Sequence, residues 1–529
     1  MINNFEKSNK ILLDTIENKM GSPVSVDAIV ATLESLGIKS ENVPDDFGHE
    51  DSWGLANYIF KKLTLNVDPL TQNKLDKKSI SNNNPKKIIL SAYLFFKQYL
   101  YSSSYLLAFV IQLTSIIIYG FSIYIYTGFN HVQSTVVVLG IIIGMILGGG
   151  YIQVIGNQVS KHFFLEDYKL VEQITFSLLK RGALFIISGL SFLIILNLIF
   201  PLFTIKTVLL IASYAFWVGL LFLVFAPLHV IQHKKIILLA TLMATVVCLP
   251  LISNRNINIY TLHFLGLFIA ISTVLIFLFF FFKKKRKISK SSEIQFQRGA
   301  IFYKNMYPFL YGILINTFFF IDRIIAWSSY KIGNFFMPIY YEKDYEIGMD
   351  ISIVFFLLLA GTLEQGNTSL FNLINTEKYK TTLINIREYK KKVLALYIKN
   401  TVLILISSIP IYTIILYIFY GSWGYNYFFA EPLKSINIKI TNIGVIGYLF
   451  LCLAMLNSSY LLSLGKQKQA LKILAFACFV NLVSGFIISR IFSYEDSVYG
   501  MLIASIVFTF LSFKQNIDIY KNIDYYATI

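Results

Sequence analysis

Between Tyr105 and Phe513 the chain carries twelve apolar segments, and the short links between them alternate in charge. A hydrocarbon core of ~30 Å needs roughly 20 apolar residues of helix, fewer where flanking side chains snorkel. The first six segments are Tyr105 to Tyr126, Val136 to Ile155, Ala183 to Phe203, Val208 to Val230, Ile236 to Ile252 and Leu262 to Phe282. The second six are Met306 to Ala326, Ile347 to Leu363, Leu396 to Tyr420, Ile443 to Leu464, Ile473 to Ile488 and Val498 to Phe513. Segments of this length satisfy their own backbone only as helices, so the pattern specifies an all-α polytopic membrane protein of twelve transmembrane helices. Alternate links hold about 24 Lys and Arg residues on one side and about 7 on the other. Basic links stay in the cytosol, so both termini are expected there, with the chain in the cytoplasmic (inner or plasma) membrane.

Composition excludes most other classes. The chain is 56% hydrophobic and only 14% charged, which rules out a series of soluble domains over most of its 529 residues. Its net charge of +17 sits in juxtamembrane links, where topology and anionic lipid account for it, so no nucleic-acid partner is expected. Cys248, Cys452 and Cys478 all fall in apolar segments and define no disulfide framework. Met1 to Lys19 is polar and does not read as a signal peptide.

Residues 1–87 read as a cytosolic helical region and tether. Ser25 caps a predicted helix from Val26 that Gly37 stops, and a second runs from Ser52 to Leu63. Asp68 to Asn84 is rich in Asn, Lys and Ser and reads as the tether. The membrane part divides at the link from Lys283 to Lys304, which opens with four lysines and Arg286. Residues 88–304 thus form a first six-helix bundle with its linker, and 305–529 a second bundle with a cytosolic tail. Both begin and end on one side, so any repeat between them is parallel. The links Ser160 to Arg181 and Gln365 to Ala395 are amphipathic and predict helices lying in the membrane interface.

Polar groups inside apolar segments mark candidate sites. Asp322 and Arg323 lie deep along the seventh segment, and at 100° per residue Asn316, Arg323 and Trp327 share a face. Arg323 either lines a polar cavity between the bundles or pairs structurally with another helix. Glu364, at the cytosolic end of the eighth segment, reads as an anchor for the following surface helix or as a gate; Asp350 reads as a first-turn acid of that segment. His229 and His233 have i, i+4 spacing, but no third ligand accompanies them, so no metal site is expected. Gly148, Gly149 and Gly150 suit close helix packing or a bend. No nucleotide fingerprint and no catalytic triad are present, which argues against an enzyme and against a cofactor.

The second half resembles the Pel exopolysaccharide transporter type (PelG-like) of the multidrug/oligosaccharidyl-lipid/polysaccharide (MOP) flippase superfamily. The residues concerned are Asn316, Phe320-Ile321-Asp322-Arg323 and Trp327, then Leu358-Leu359-Ala360-Gly361-Thr362-Leu363-Glu364, then the basic stretch Tyr379 to Lys392. In the first half Gly149-Gly150-Tyr151, Val159-Ser160, Phe164 and Glu166-Asp167 are similar to that family's second-helix exit. Where family members carry Asp-Lys and Glu-Thr, this chain has Asp322-Arg323 and Glu364-Gln365, and a longer N-terminal region replaces the usual opening. The resemblance implies two six-helix bundles around a central cavity and outward movement of polysaccharide or lipid-linked saccharide supplied by a cytosolic glycosyltransferase. On this reading Asn316, Asp322, Arg323 and Trp327 line the transport path, Glu364 is a cytosolic gate or anchor, and the partners are membrane lipid, the saccharide, the glycosyltransferase and other export subunits. Two alternatives remain: a membrane-embedded glycosyl transferase or polymerase, for which the outer loops are modest, and a membrane scaffold or sensor acting through its N-terminal region.

Overall fold

The structure is a computed structural model, which describes residues 9, 12–16, 26–38, 40–65, 99, 106–163, 167–252, 257–286, 305–329, 338–377, 386–421, 424–429 and 431–521. It separates into two units, Met1–Ser91 and Ala92–Ile529. In the first, helices α1 (Val26–Ser35), α2 (Val43–Phe47) and α3 (Ser52–Leu65) enclose a small core of Ile29, Leu33, Val43, Leu55 and Ile59. Gly37, at φ +81°, ends the turn after α1 in the left-handed conformation that glycine adopts without strain. The tether expected at Asp68 to Asn84 lies outside the described residues.

The second unit is built of helices. The first lobe comprises α4 (Leu106–Tyr119), α5 (His131–Phe163), α6 (Tyr168–Ile199), α7 (Ile205–Val230), α8 (Lys235–Ile252) and α9 (Ile259–Lys285). The second comprises α10 (Met306–Ser329), α11 (Lys343–Glu377), α12 (Ile386–Tyr420), the short α13 (Tyr425–Phe429), α14 (Ser435–Ser463), α15 (Gln467–Ile491) and α16 (Ser497–Lys521). Among the described residues eleven helices are long and apolar enough to cross a membrane, and α4 is a shorter apolar one. Each lobe has its own core, and large apolar side chains such as Phe280 and Phe510, 60% and 66% exposed, point outward as lipid-facing residues do.

Three features of the sequence reading change. The segment expected to span Tyr105 to Tyr126 is not one helix, because the chain turns at Gly120, φ +66°, and folds back. Residues 121–126 form a tight loop closed by Ser122 N–H to Ile125 O (2.8 Å) and Thr127 N–H to Gly120 O (2.9 Å). Buried Gln112 accepts from Ile123 N–H (3.1 Å) and donates to Thr245 of α8 (2.8 Å), so the irregular backbone stays hydrogen-bonded inside the protein.

The two amphipathic links are not interfacial helices. Their described residues extend the spans themselves: α5 reaches Phe163, α6 starts at Tyr168 under an Asp167 cap (Leu170 N–H to Oδ1, 3.2 Å), and α11 and α12 run 35 residues each. A helix of 33 residues, as in α5, is about 50 Å long and overshoots the hydrocarbon by about 20 Å, so its amphipathic end lies in the headgroup region and beyond. Asp350 is not in a first turn either, since α11 begins seven residues earlier, at Lys343.

Candidate functional site

The lobes meet where α5 and α10 run antiparallel past each other. Gly149 and Gly312 bring the two backbones together: a Cβ on Gly312 would fall onto the Gly149 carbonyl and within 2.8 Å of the Gln153 Cβ. Small residues at such crossings replace side-chain packing with direct backbone contact. Gly150 makes room in the same way for Phe309, whose ring packs edge-on against Tyr151 (5.3 Å between centroids) and Phe185 (5.1 Å). The glycine run therefore serves close packing.

Asn316 lies on this seam. Its side chain donates to the Gly312 carbonyl one turn back (2.8 Å) and occupies the space over Gly149. The other residues singled out on the same segment sit two to three turns further along and bond to α11. Arg323, 4% exposed, pairs through Nη1 with Glu346 and, at 3.0 Å, with Asp350. Trp327 Nε1–H donates to the second oxygen of Glu346 (2.9 Å), and the Tyr345 hydroxyl donates to Asp322 (2.9 Å). Asp322, Arg323, Trp327 and Glu346 are all buried, whereas Asp350 is largely exposed, so the cluster opens at one edge. Three carboxylates face one guanidinium. Such a cluster persists in a low-dielectric interior through its pairing, which here runs through Arg323 Nη1, Trp327 Nε1 and the Tyr345 hydroxyl.

Glu342 lies just before α11 and accepts from Tyr345 N–H (2.6 Å). Burial pushes its carboxyl above the ordinary value, against the lowering effect of that amide bond. Nothing in the apolar patterning distinguished Glu342 or Glu346; their signal was only that α11 starts earlier than its apolar run.

At the basic end of the bundle, which carries Lys283, Lys284 and Lys285, Glu364 of α11 pairs with Lys234 in the turn between α7 and α8. The partner thus comes from the other lobe. Lys234 is 3% exposed, and its turn is set by Gln232 in the left-handed conformation, φ +60°. In the sequence it was one lysine of a pair among many. At the opposite end, Tyr341 N–H donates to Thr135 Oγ1 of α5 (3.0 Å), and the Tyr340 and His131 rings stack at 5.9 Å. His229 and His233 join no cluster of potential metal ligands among the described residues. His233 packs edge-on against the Phe277 and Phe281 rings, and burial, aided by Lys285, lowers its pKa.

Two helical lobes, joined by a glycine-lined crossing and bridged by polar contacts at both ends, define the class: a two-lobe helical membrane bundle. Solved structures of transporters share it. The chain is similar to the Vibrio cholerae MATE transporter VcmN in its bent form, with a TM-score of 0.53 at 15% identity, covering 83% of this chain and 99% of that one. It is similar to the eukaryotic MATE transporter AtDTX14 (0.53, 12% identity, 80% and 96% covered) and to a MOP superfamily transporter from Pyrococcus furiosus (0.51, 12%, 81% and 96%). At these identities the likeness is one of fold. No family model matches the chain, and no curated protein matches it in sequence.

Proposed function

We propose that the chain is a transporter that moves a polysaccharide or lipid-linked saccharide outward across the cytoplasmic membrane by rearranging its two lobes. The observation that carries the transporter reading is the two-lobe MOP-type fold with an ion pair, Lys234 to Glu364, bridging the lobes at the basic end. That bridge must part for cargo to enter from this end, so Glu364 acts as a gate. The saccharide rests on the resemblance of the α10 and α11 motifs to PelG-like exporters. The α5–α10 seam supplies the path, with Asn316 on it and the Asp322, Arg323 and Trp327 cluster beyond it. The basic end faces the cytosol, as the distribution of Lys and Arg in the links supports. The N-terminal helical unit docks the cytosolic glycosyltransferase.

A reversible crosslink tests the gate. Cysteines in place of Lys234 and Glu364, oxidised in cells, are expected to stop export of extracellular polysaccharide, and reductant to restore it. Export that continues at full rate through the crosslinked protein would overturn the gate. Labelling of single cysteines in sealed cells tests orientation: Gly333 and Gly424 positions should react from outside, whereas Ser289 and Asn375 should not.

A further inference from the structure

Five carboxamides gather on the lobe seam. Asn305 Oδ1, immediately before α10, accepts from both Asn157 Nδ2 (3.0 Å) and Gln158 Nε2 (2.7 Å) of α5. Gln153 packs against Gly312 one turn further along, and Asn316 covers Gly149 a turn beyond that. Gly149, Gln153 and Asn157 are spaced by four residues and so form one stripe on α5. From His131 to Ser160 and from Asn305 to Ile321 neither segment contains Asp, Glu, Lys or Arg. Beside the stripe lies an aromatic cluster of Phe309, Tyr151 and Phe185.

We infer that this stripe is the surface that reads the cargo, and that it selects a hydroxyl-rich, uncharged stretch of glycan. The inference rests on the saccharide-export reading and assigns its specificity. A carboxamide offers both a donor and an acceptor, as a sugar hydroxyl does. When the lobes part, amide-to-amide bonds can therefore be exchanged for amide-to-hydroxyl bonds of similar strength. A seam closed by ion pairs would instead leave bare charges, which hydroxyl groups compensate poorly. The apolar faces of sugar rings suit the neighbouring aromatic rings. The charged groups of α10 and α11 stand at the ends of this path and leave the stripe itself neutral.

The test uses the full chain in cells that export polysaccharide. A photocrosslinking amino acid in place of Asn157 should yield a sugar-positive adduct on illumination, and one in place of the lipid-facing Phe280 should not. Asn157→Leu combined with Gln158→Met keeps volume and removes the amides; it should lower export per folded molecule about tenfold, while Asn157→Gln should retain at least about a third of it. Folded protein is quantified by size exclusion of the detergent extract. If deleting the chain leaves extracellular polysaccharide unchanged, the saccharide-export reading fails and the inference with it. If deletion abolishes export but position 157 gives no adduct, or the double variant exports normally, the amide assignment alone fails.

Discussion

Among the described residues the first lobe has five helices long enough to cross a membrane and a shorter one, the second lobe has six, and their interiors are opposite. Among the described residues, the spans of the first lobe bury uncharged polar groups such as Gln112, Thr241, Thr245 and His263, and the Tyr214 hydroxyl meets His263 Nδ1 at 2.7 Å. The second lobe buries Asp322, Arg323 and Glu346. A shared architecture thus leaves the electrostatics of each half free to diverge. Helix number and packing come from apolar periodicity and small residues, which neither lobe relaxes. Within the spans, buried charge lies in the half that can pair it, where α11 begins early enough to bring Glu346 and Asp350 alongside Arg323.

The sharpest way to break this contrast is to remove the cation. Arg323→Ala leaves Glu346 buried beside two other acids and is expected to destabilise the protein by about 3–5 kcal/mol, with Glu346→Gln in the same chain recovering much of the loss. Thermal unfolding of the detergent-purified variants measures it; wild-type stability for Arg323→Ala would show that the cluster is hydrated rather than buried. In the first lobe, Tyr214→Phe strips a buried imidazole of its partner and should cost about 2 kcal/mol in the same assay. A loss as large as that of Arg323→Ala would erase the distinction between the lobes. Between the lobes, a double-mutant cycle with Lys234→Met and Glu364→Gln should report a coupling of about 1 kcal/mol. Zero coupling would mean that the two side chains do not hold the ends together in solution.

The smallest effect concerns Glu342. Its folded-state pKa is raised, so the folded protein binds that proton more readily than the unfolded chain does. This contribution is complete below the ordinary carboxylate value of about 4.3 and is lost as pH rises through the raised value. Glu342→Gln should remove that decline, a change below about 1 kcal/mol, seen as a flatter profile of unfolding temperature against pH. A steeper profile in the variant would reverse the sign of the argument.

Sequence patterning exposed the helices because lipid imposes a length and a composition on each span. The twelve segments correspond to α4–α12 and α14–α16, and the helix starts expected at Val26 and Ser52 are where α1 and α3 begin. Helix ends were less legible. An apolar run stops where lipid stops, but α5 and α11 continue as amphipathic helix into water, where periodicity alone cannot tell a continued helix from a separate one lying on the surface. Residues 121–126 are as apolar as a span, and the left-handed Gly120, with the bonds made by Ser115 and Gln112, explains why they leave the helix. The candidate site was half visible for a similar reason. Asp322, Arg323 and Glu364 stand out as charges in apolar surroundings, but their partners Glu346 and Lys234 lie just outside the apolar runs, where charge is ordinary.

Gly149 against Gly312 has one more consequence. On the proposed transport reading it makes the middle of the molecule a fulcrum where backbone meets backbone. From that point α5 extends 18 residues to His131 and 14 to Phe163, giving lever arms of about 27 Å and about 21 Å. A tilt of about 10° around it would swing the His131 end by about 5 Å and the Phe163 end by about 4 Å in opposite senses. Either displacement exceeds the reach of a hydrogen bond. For a transporter of the proposed kind, shutting one mouth and unsealing the other would then be a single rigid-body event, set by where two hydrogen atoms stand in place of two side chains.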